Sequence, residues 1–263
     1  MWDWRKRGTI SRIRETKELV RYFSLAHRVP ETSALEPRAV AWLYEFTTRI
    51  PLVRTTYRRF VDGVLGLGIS KGYAVDLGTG PGYVAIDIDR RSPGLQMIGL
   101  DLGAHMVERA RQQALRREHN GQPPWLQADA HVLPVADDSL DLVISSFALH
   151  HWQDPLAVLN EIARVLHRPR PETGEPGGRY YIADVCRETN AFQRLVAYAS
   201  IPAFSLPYGS YWGYGGYYES VRAGYTPDEA QALLAQSALP PGQVTLDSTW
   251  FVPILTISSK GSG

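Results

Sequence analysis

The chain has 263 residues, 44% of them apolar and 21% charged, which is enough for one sizeable α/β domain with an accessory element and too apolar for disorder. A net charge of +1 gives no global reason to expect a nucleic-acid or membrane partner. The single cysteine, Cys186, excludes an intramolecular disulfide framework and a cysteine-rich metal site.

No apolar run approaches the roughly 20 residues that a membrane span needs. The basic start, Met1 to Arg7, lacks the apolar stretch and small-residue cleavage site of a secretory signal, so a cytoplasmic location is expected. The first 28 residues hold eight Arg and Lys against three acids. A solvated helix face accounts for that excess more simply than a binding surface does. Residues 1–70 read as an all-helical N-terminal cap. Leu19, Tyr22, Phe23 and Ala26 repeat at helical spacing, as do Val40, Leu43, Thr47 and Ile50, and then Tyr57, Phe60, Val61 and Val64. Pro51 separates the last two helices.

From residue 71 to 263 strands and helices alternate, which argues for a parallel sheet with helices on both faces. The apolar run Tyr73–Leu77 reads as a buried strand, followed by Gly78, Gly80 and Gly82 and then a helix beginning near Val84. Glycine lets backbone approach a ligand closely, and the start of a helix adds free N–H groups and a positive dipole end. Such a cradle suits a small molecule with an anionic or carboxylate end. A nicotinamide or flavin site calls for Gly-x-Gly-x-x-Gly, but Tyr83 stands where the third glycine belongs. Three further strands are expected, at Gln96–Asp101, at Trp125–Ala130, and from Leu140 to Ser146. Asp101 and Asp129 lie at strand ends. Asp154-Pro155 starts a helix, Arg179–Val185 is a fifth strand, and a helix follows from about Thr189 to Ser200. Nine aromatics crowd the stretch 198–225, where interspersed glycines and prolines argue against regular structure. Thr226-Pro227 opens another helix, and strands near 244–249 and 254–258 end the chain with no clear turn between them.

The order Asp76-x-Gly78-x-Gly80-x-Gly82, with acids at the next strand ends, resembles the class I S-adenosylmethionine (SAM)-dependent methyltransferases. Within them the chain is most similar to the small-molecule group that includes the ubiquinone and menaquinone biosynthesis enzymes, over roughly residues 70–190. The resemblance implies a doubly wound, seven-stranded, mainly parallel Rossmann-like sheet whose last strand is antiparallel. It implies SAM as cofactor and S-adenosylhomocysteine as product. Backbone around Gly78, Thr79 and Gly80 should meet the methionine part, with Asp76 fixing the loop or reaching the amino group through water. Gly82 should let the first helix pack closely. Asp101 should accept from the ribose hydroxyls, with Leu102 and Met106 against adenine. Asp129 should accept from the adenine amino group while the Ala130 N–H donates to the ring, and the Ser146 carbonyl should take the methionine ammonium.

Methyl transfer from a sulfonium is an in-line displacement on an activated carbon, so the protein must mainly align the reactants and exclude water. A neutral hydroxyl or thiol acceptor also needs a base. His150 and His151, just past the fourth strand, are the candidates; otherwise their loop serves to seat Trp152 and to cap the next helix through Asp154. Adjacent histidines point their rings differently, and no metal site is expected. The aromatic stretch 198–225, with Tyr208, Tyr211, Trp212, Tyr214, Tyr217 and Tyr218, reads as a lid over a small, flat, apolar or aromatic acceptor. Its other reading is an insertion packed on the core or on a second copy of the chain. Ser145-Ser146-Phe147-Ala148 departs from the run that amino-adenine methylases carry, and no nucleic-acid substrate is expected. The different-class alternative is a SAM-binding scaffold without turnover of its own.

Overall fold

A computed structural model describes residues 25–26, 28–29, 51–116, 123–172, 174, 176–205, 217–248 and 251–260. Seven strands form one sheet: β1 (Gly72–Leu77), β2 (Leu95–Asp101), β3 (Trp125–Gln127), β4 (Leu142–Ser146), β5 (Arg179–Val185), β6 (Gly242–Asp247) and β7 (Ile254–Ser259). Their order is β3-β2-β1-β4-β5-β7-β6. The first five run parallel, and β7 is antiparallel to both β5 and β6. The helices are α1 (Pro51–Leu65), α2 (Tyr83–Arg91), α3 (Ala104–Arg116), α4 (Pro155–Val165), α5 (Ala191–Ser205), α6 (Tyr217–Ala223) and α7 (Pro227–Gln236).

The central strands are apolar on both faces because helices cover both faces. Successive residues alternate between two cores. Ala74, Leu142 and Ile144 meet Phe60, Val61 and Val64 of α1 and Ile86 and Ile88 of α2. Val75, Leu77 and Val143 meet Val158, Leu159 and Ile162 of α4 and Leu234 of α7. Helix α1 is therefore part of the sheet's own core as well as the end of the N-terminal region. The first two expected helices lie almost wholly outside the described residues.

Two helix starts follow their local chemistry. The Asp154 side chain accepts from the Ala157 N–H, with Pro155 in the first turn of α4. Thr226 and Glu229 close a reciprocal capping box on α7. Each such cap stabilises its helix by about 1 kcal/mol.

Three expectations need correction. Strand β3 ends at Gln127, so Asp129 and Ala130 lie in the turn beyond it. The aromatic stretch is not wholly irregular: Tyr198 lies in α5, and Tyr217–Ala223 is a helix, because Tyr218 and Val221 share an apolar face buried with Ala197. Strand β6 spans Gly242–Asp247 rather than 244–249, and its expected pairing with the antiparallel β7 sets Asp247 opposite Ile254.

The sheet fans out in both directions from β1, which pairs with β2 on one side and β4 on the other. A crevice forms outside the carboxyl ends of strands at such a switch point. The ends of β1, β2 and β4 therefore locate the site.

Candidate active site

The loop from β1 into α2 holds three glycines with positive φ: Gly78 at 68°, Gly80 at 52° and Gly82 at 80°. They serve different ends. A Cβ on Gly80 would meet nothing within 4 Å, so this glycine borders open space where a ligand can approach. A Cβ on Gly82 would stand 2.6 Å from the Trp125 ring and 3.0 Å from Ala110. The close packing at Gly82 is thus against β3 and α3. The loop is tied down by the Thr79 N–H, which donates to the Leu100 carbonyl at 2.9 Å.

Asp76 is wholly buried on β1. Its Oδ2 accepts from the Thr79 hydroxyl at 2.8 Å, while Oδ1 has no hydrogen-bond partner. Burial pushes its pKa up to about 7 against the lowering effect of the Thr79 bond. Asp101, at the end of β2, accepts from the Gly80 N–H at 2.9 Å and from the Gly103 N–H at 2.8 Å. Burial raises its pKa as well, and the two backbone donors hold it partly in check. A carboxylate has about four acceptor positions, so two remain for a ligand. Leu102 is 46% exposed beside this acid, which removes a core role for it, and Met106 is partly buried. Asp129 is exposed; its Oδ1 accepts from the His131 backbone N–H at 2.9 Å and lies 2.6 Å from His131 Nδ1. Those bonds, the backbone one first, lower its pKa.

Past β4, a 3₁₀ turn over Leu149–His151 carries the histidines. His150 is 3% exposed and Asp184 of β5 is 1% exposed. The His150 backbone N–H donates to Asp184 Oδ2 at 2.7 Å, and Nδ1 lies 2.7 Å from Oδ1. A carboxylate only accepts, so Nδ1 carries the proton, and in the neutral ring the buried Nε2 keeps a lone pair. The His151 ring lies 4.0 Å from the His150 ring, centroid to centroid. Burial, and secondarily His150, pushes the His151 pKa down to about 3. Sequence spacing does not single out Asp184. Its one signal is a lone acid near the carboxyl end of a strand that is apolar from Tyr180 to Ala183. Of the six aromatics read as a lid, Tyr208, Tyr211, Trp212 and Tyr214 lie outside the described residues. Tyr217 is partly buried, and Tyr218 is fully buried against Tyr198 and Val221, so its ring is packing and not a lid surface.

Residues 75–169, which span the glycine loop, both histidines and α4, match the family model described as a methyltransferase domain. The chain carries a class I SAM-dependent methyltransferase domain. It is 29% identical over 68% of its length to the demethylmenaquinone methyltransferase of Thermus thermophilus, spanning 78% of that protein. It is 30% identical over 65% of its length to the ubiquinone/menaquinone biosynthesis C-methyltransferase of Desulfotalea psychrophila, spanning 63% of that one. In fold it is similar to a SAM-dependent methyltransferase of Aquifex aeolicus, with a TM-score of 0.54 at 17% identity, covering 75% of this chain and 87% of the other. The cofactor of this methyltransferase domain is SAM. The loop chemistry fits that group. An unpartnered buried carboxylate oxygen on Asp76 suits a ligand bearing an ammonium, and Asp101 keeps capacity for hydroxyls. Among the described residues no helix is long and apolar enough to cross a membrane.

Proposed function

We propose that this chain methylates a small, flat, apolar acceptor bearing an acidic hydroxyl, of the quinol or phenol class, with His150 as general base. The buried His150–Asp184 pair at the carboxyl edge is the observation that carries the reading. The names of the relatives support the acceptor class, since one is a demethylmenaquinone methyltransferase and the other a ubiquinone/menaquinone biosynthesis C-methyltransferase. SAM, when bound, supplies an electrophilic methyl whose departure leaves the electron pair on sulfur. Gly78, Thr79 and Gly80 would hold its methionine part, Asp101 and Leu102 its ribose and adenine, with Asp129, Ala130 and Met106 around the ring and the Ser146 carbonyl at the ammonium.

Asp184 fixes the His150 tautomer and stabilises the imidazolium that forms when Nε2 takes the acceptor's hydroxyl proton. The resulting oxyanion makes either its oxygen or a conjugated ring carbon nucleophilic. For attack through carbon, the imidazolium first passes its proton to solvent, and the regenerated Nε2 then takes the ring proton, which restores aromaticity. His151, held neutral by burial, is too weak a base for this step and serves to wall off water. Labelled-methyl SAM incubated with 1,4-naphthohydroquinone tests the reading. His150→Ala should lower turnover by about 10²–10⁴ with SAM affinity unchanged. A parent chain that binds SAM but transfers no methyl would favour the scaffold alternative.

A further inference from the structure

Phe147 has a φ of 56°, and it and Asp138 are the only non-glycine residues with positive φ among those described. A bulky side chain adopts this region only at a cost, and glycine would make the same turn without it. The kink itself has a use, since it leads β4 into the 3₁₀ turn that carries His150, and it is fastened by the Phe147 N–H donating to the Ala183 carbonyl at 2.8 Å. That use does not call for a phenyl ring. The ring also does little for the core. Phe147 is partly exposed and belongs to none of the three apolar clusters, whereas Ala148 and Leu149 beside it are buried.

Its neighbours say where the ring stands. Ala148 Cβ is 2.6 Å from where a Cβ on Gly78 would lie, so this step of the chain presses on the glycine cradle. Ser146 precedes it and His150 follows three residues later. Tyr57 of α1 meets the Phe147 ring edge-on, centroids 5.7 Å apart and planes at 80°. Tyr57 is partly buried at the margin of the core that Phe60, Val61 and Val64 of the same helix build.

We propose that Phe147 and Tyr57 form an aromatic wall of the acceptor site, with Phe147 kept in a strained backbone so that its ring faces a flat acceptor beside the transferable methyl. The proposal rests on the methyltransferase reading and deepens it by assigning the acceptor's ring a surface. Offset stacking on one ring with the edge of a second behind it favours planar aromatic molecules over aliphatic ones of equal size. The wall also covers one side of the transfer site from water.

The test is calorimetric binding of 1,4-naphthoquinone to the chain loaded with S-adenosylhomocysteine, read beside methyl transfer to 1,4-naphthohydroquinone and the melting temperature. Phe147→Gly should weaken naphthoquinone binding at least tenfold while SAM affinity stays within twofold and the melting temperature holds or rises. Phe147→Tyr should keep the parent affinity, and Tyr57→Leu should lose several-fold. A purely structural Phe147 would instead lower the melting temperature and SAM affinity together, and that result overturns the proposal. So does unchanged naphthoquinone affinity in Phe147→Gly, or no binding by the parent chain. Binding without methyl transfer would sink the quinol reading and leave the aromatic wall standing.

Discussion

Asp76, fully buried, and His151, partly buried, are titratable groups that push the pH dependence of stability in opposite directions. The Asp76 carboxyl, raised from 3.8 to about 7, stays protonated in the folded chain while the unfolded chain ionises from about pH 4 upward. The folded state then binds more protons, so this group's contribution falls as pH rises from about 4 to 7 and is level above. His151, lowered from 6.5 to about 3, is neutral when folded and protonated when unfolded, so its contribution rises between about pH 3 and 6.5. In the parent the two partly cancel. Relative to the parent, Asp76→Asn without cofactor should gain stability as pH rises from 4.5 to 7, by up to about 3 kcal/mol at roughly 1.4 kcal/mol per pKa unit. His151→Phe should show the opposite trend. Urea titrations at four pH values check both, and parallel curves for parent and Asp76→Asn would show that the acid is ionised throughout. At this scale the sequence was informative where a residue's role depends on its local run. Asp76, Asp101 and the three glycines fall at the sheet's switch point. Asp184 was not legible, because its meaning comes from a histidine 34 positions away that only the β4–β5 pairing brings beside it. Nor was the double duty of Asp101, whose bonds to the Gly80 and Gly103 N–H groups depend on how two loops meet.

Among the elements, the short strand β3 matters most for the cofactor loop. Trp125 opens it and is buried where β2 and α2 approach each other. Both neighbouring positions are glycine: a Cβ on Gly99 would lie 2.3 Å from Trp125 Cε3, and one on Gly82 2.6 Å from Trp125 Cη2. The indole thus occupies a space that two missing side chains leave, and through Gly82 it sets where α2 begins. Gly99→Ala should overpack this contact and destabilise the chain by about 1–3 kcal/mol. Because the displaced ring bears on the loop, SAM affinity should fall in the same variant, and Gly99→Ala combined with Trp125→Leu should recover part of both. Urea melts and calorimetry on the two variants check this; undiminished stability in Gly99→Ala would mean the ring moves aside freely. Order and type of the elements were legible from periodicity, since buried parallel strands leave unbroken apolar runs and amphipathic helices leave spaced ones. What failed was local: β3 was read too long because Ala128 and Ala130 continue its apolar pattern, and α6 was hidden among glycines and tyrosines.

The whole molecule is joined across its length by two arginines. Arg187, 3% exposed just past β5, pairs with Glu229 of α7, and its Nε donates to the Gly224 carbonyl at 3.2 Å. Its Nη1 donates to the Leu25 carbonyl at 3.1 Å, 162 positions away in sequence. Arg28 completes the fastening: Nε donates to the Ala223 carbonyl at 2.7 Å and Nη2 to the His150 carbonyl at 3.3 Å, with the guanidinium 4.2 Å over the Tyr225 ring. Arg28 is thereby tied to the turn that carries His150, and Leu25 to Arg187. The basic excess of the first 28 residues reads as a solvated face, but Arg28 at least is spent on this fastening, and periodicity cannot show a contact between the two ends of a chain. Arg187→Met removes the buried partner of an ion pair whose Glu229 is 42% exposed, and it strands two carbonyls, so it should cost about 1–3 kcal/mol, mostly through the carbonyls. Glu229 keeps its capping bond to the Thr226 N–H through the other carboxylate oxygen, so α7 should persist. The double variant Arg187→Met with Glu229→Gln should therefore be more stable than the sum of its singles. If the fastening is what holds Leu25 and Arg28, Arg187→Met should also speed limited tryptic cleavage at Arg28 while leaving SAM affinity within a few-fold, because its bonds run to Leu25, Gly224, Tyr225 and Glu229 and not to the cofactor loop. Cleavage at the parent rate, with the expected loss of stability, would show that Arg28 holds the segment without it.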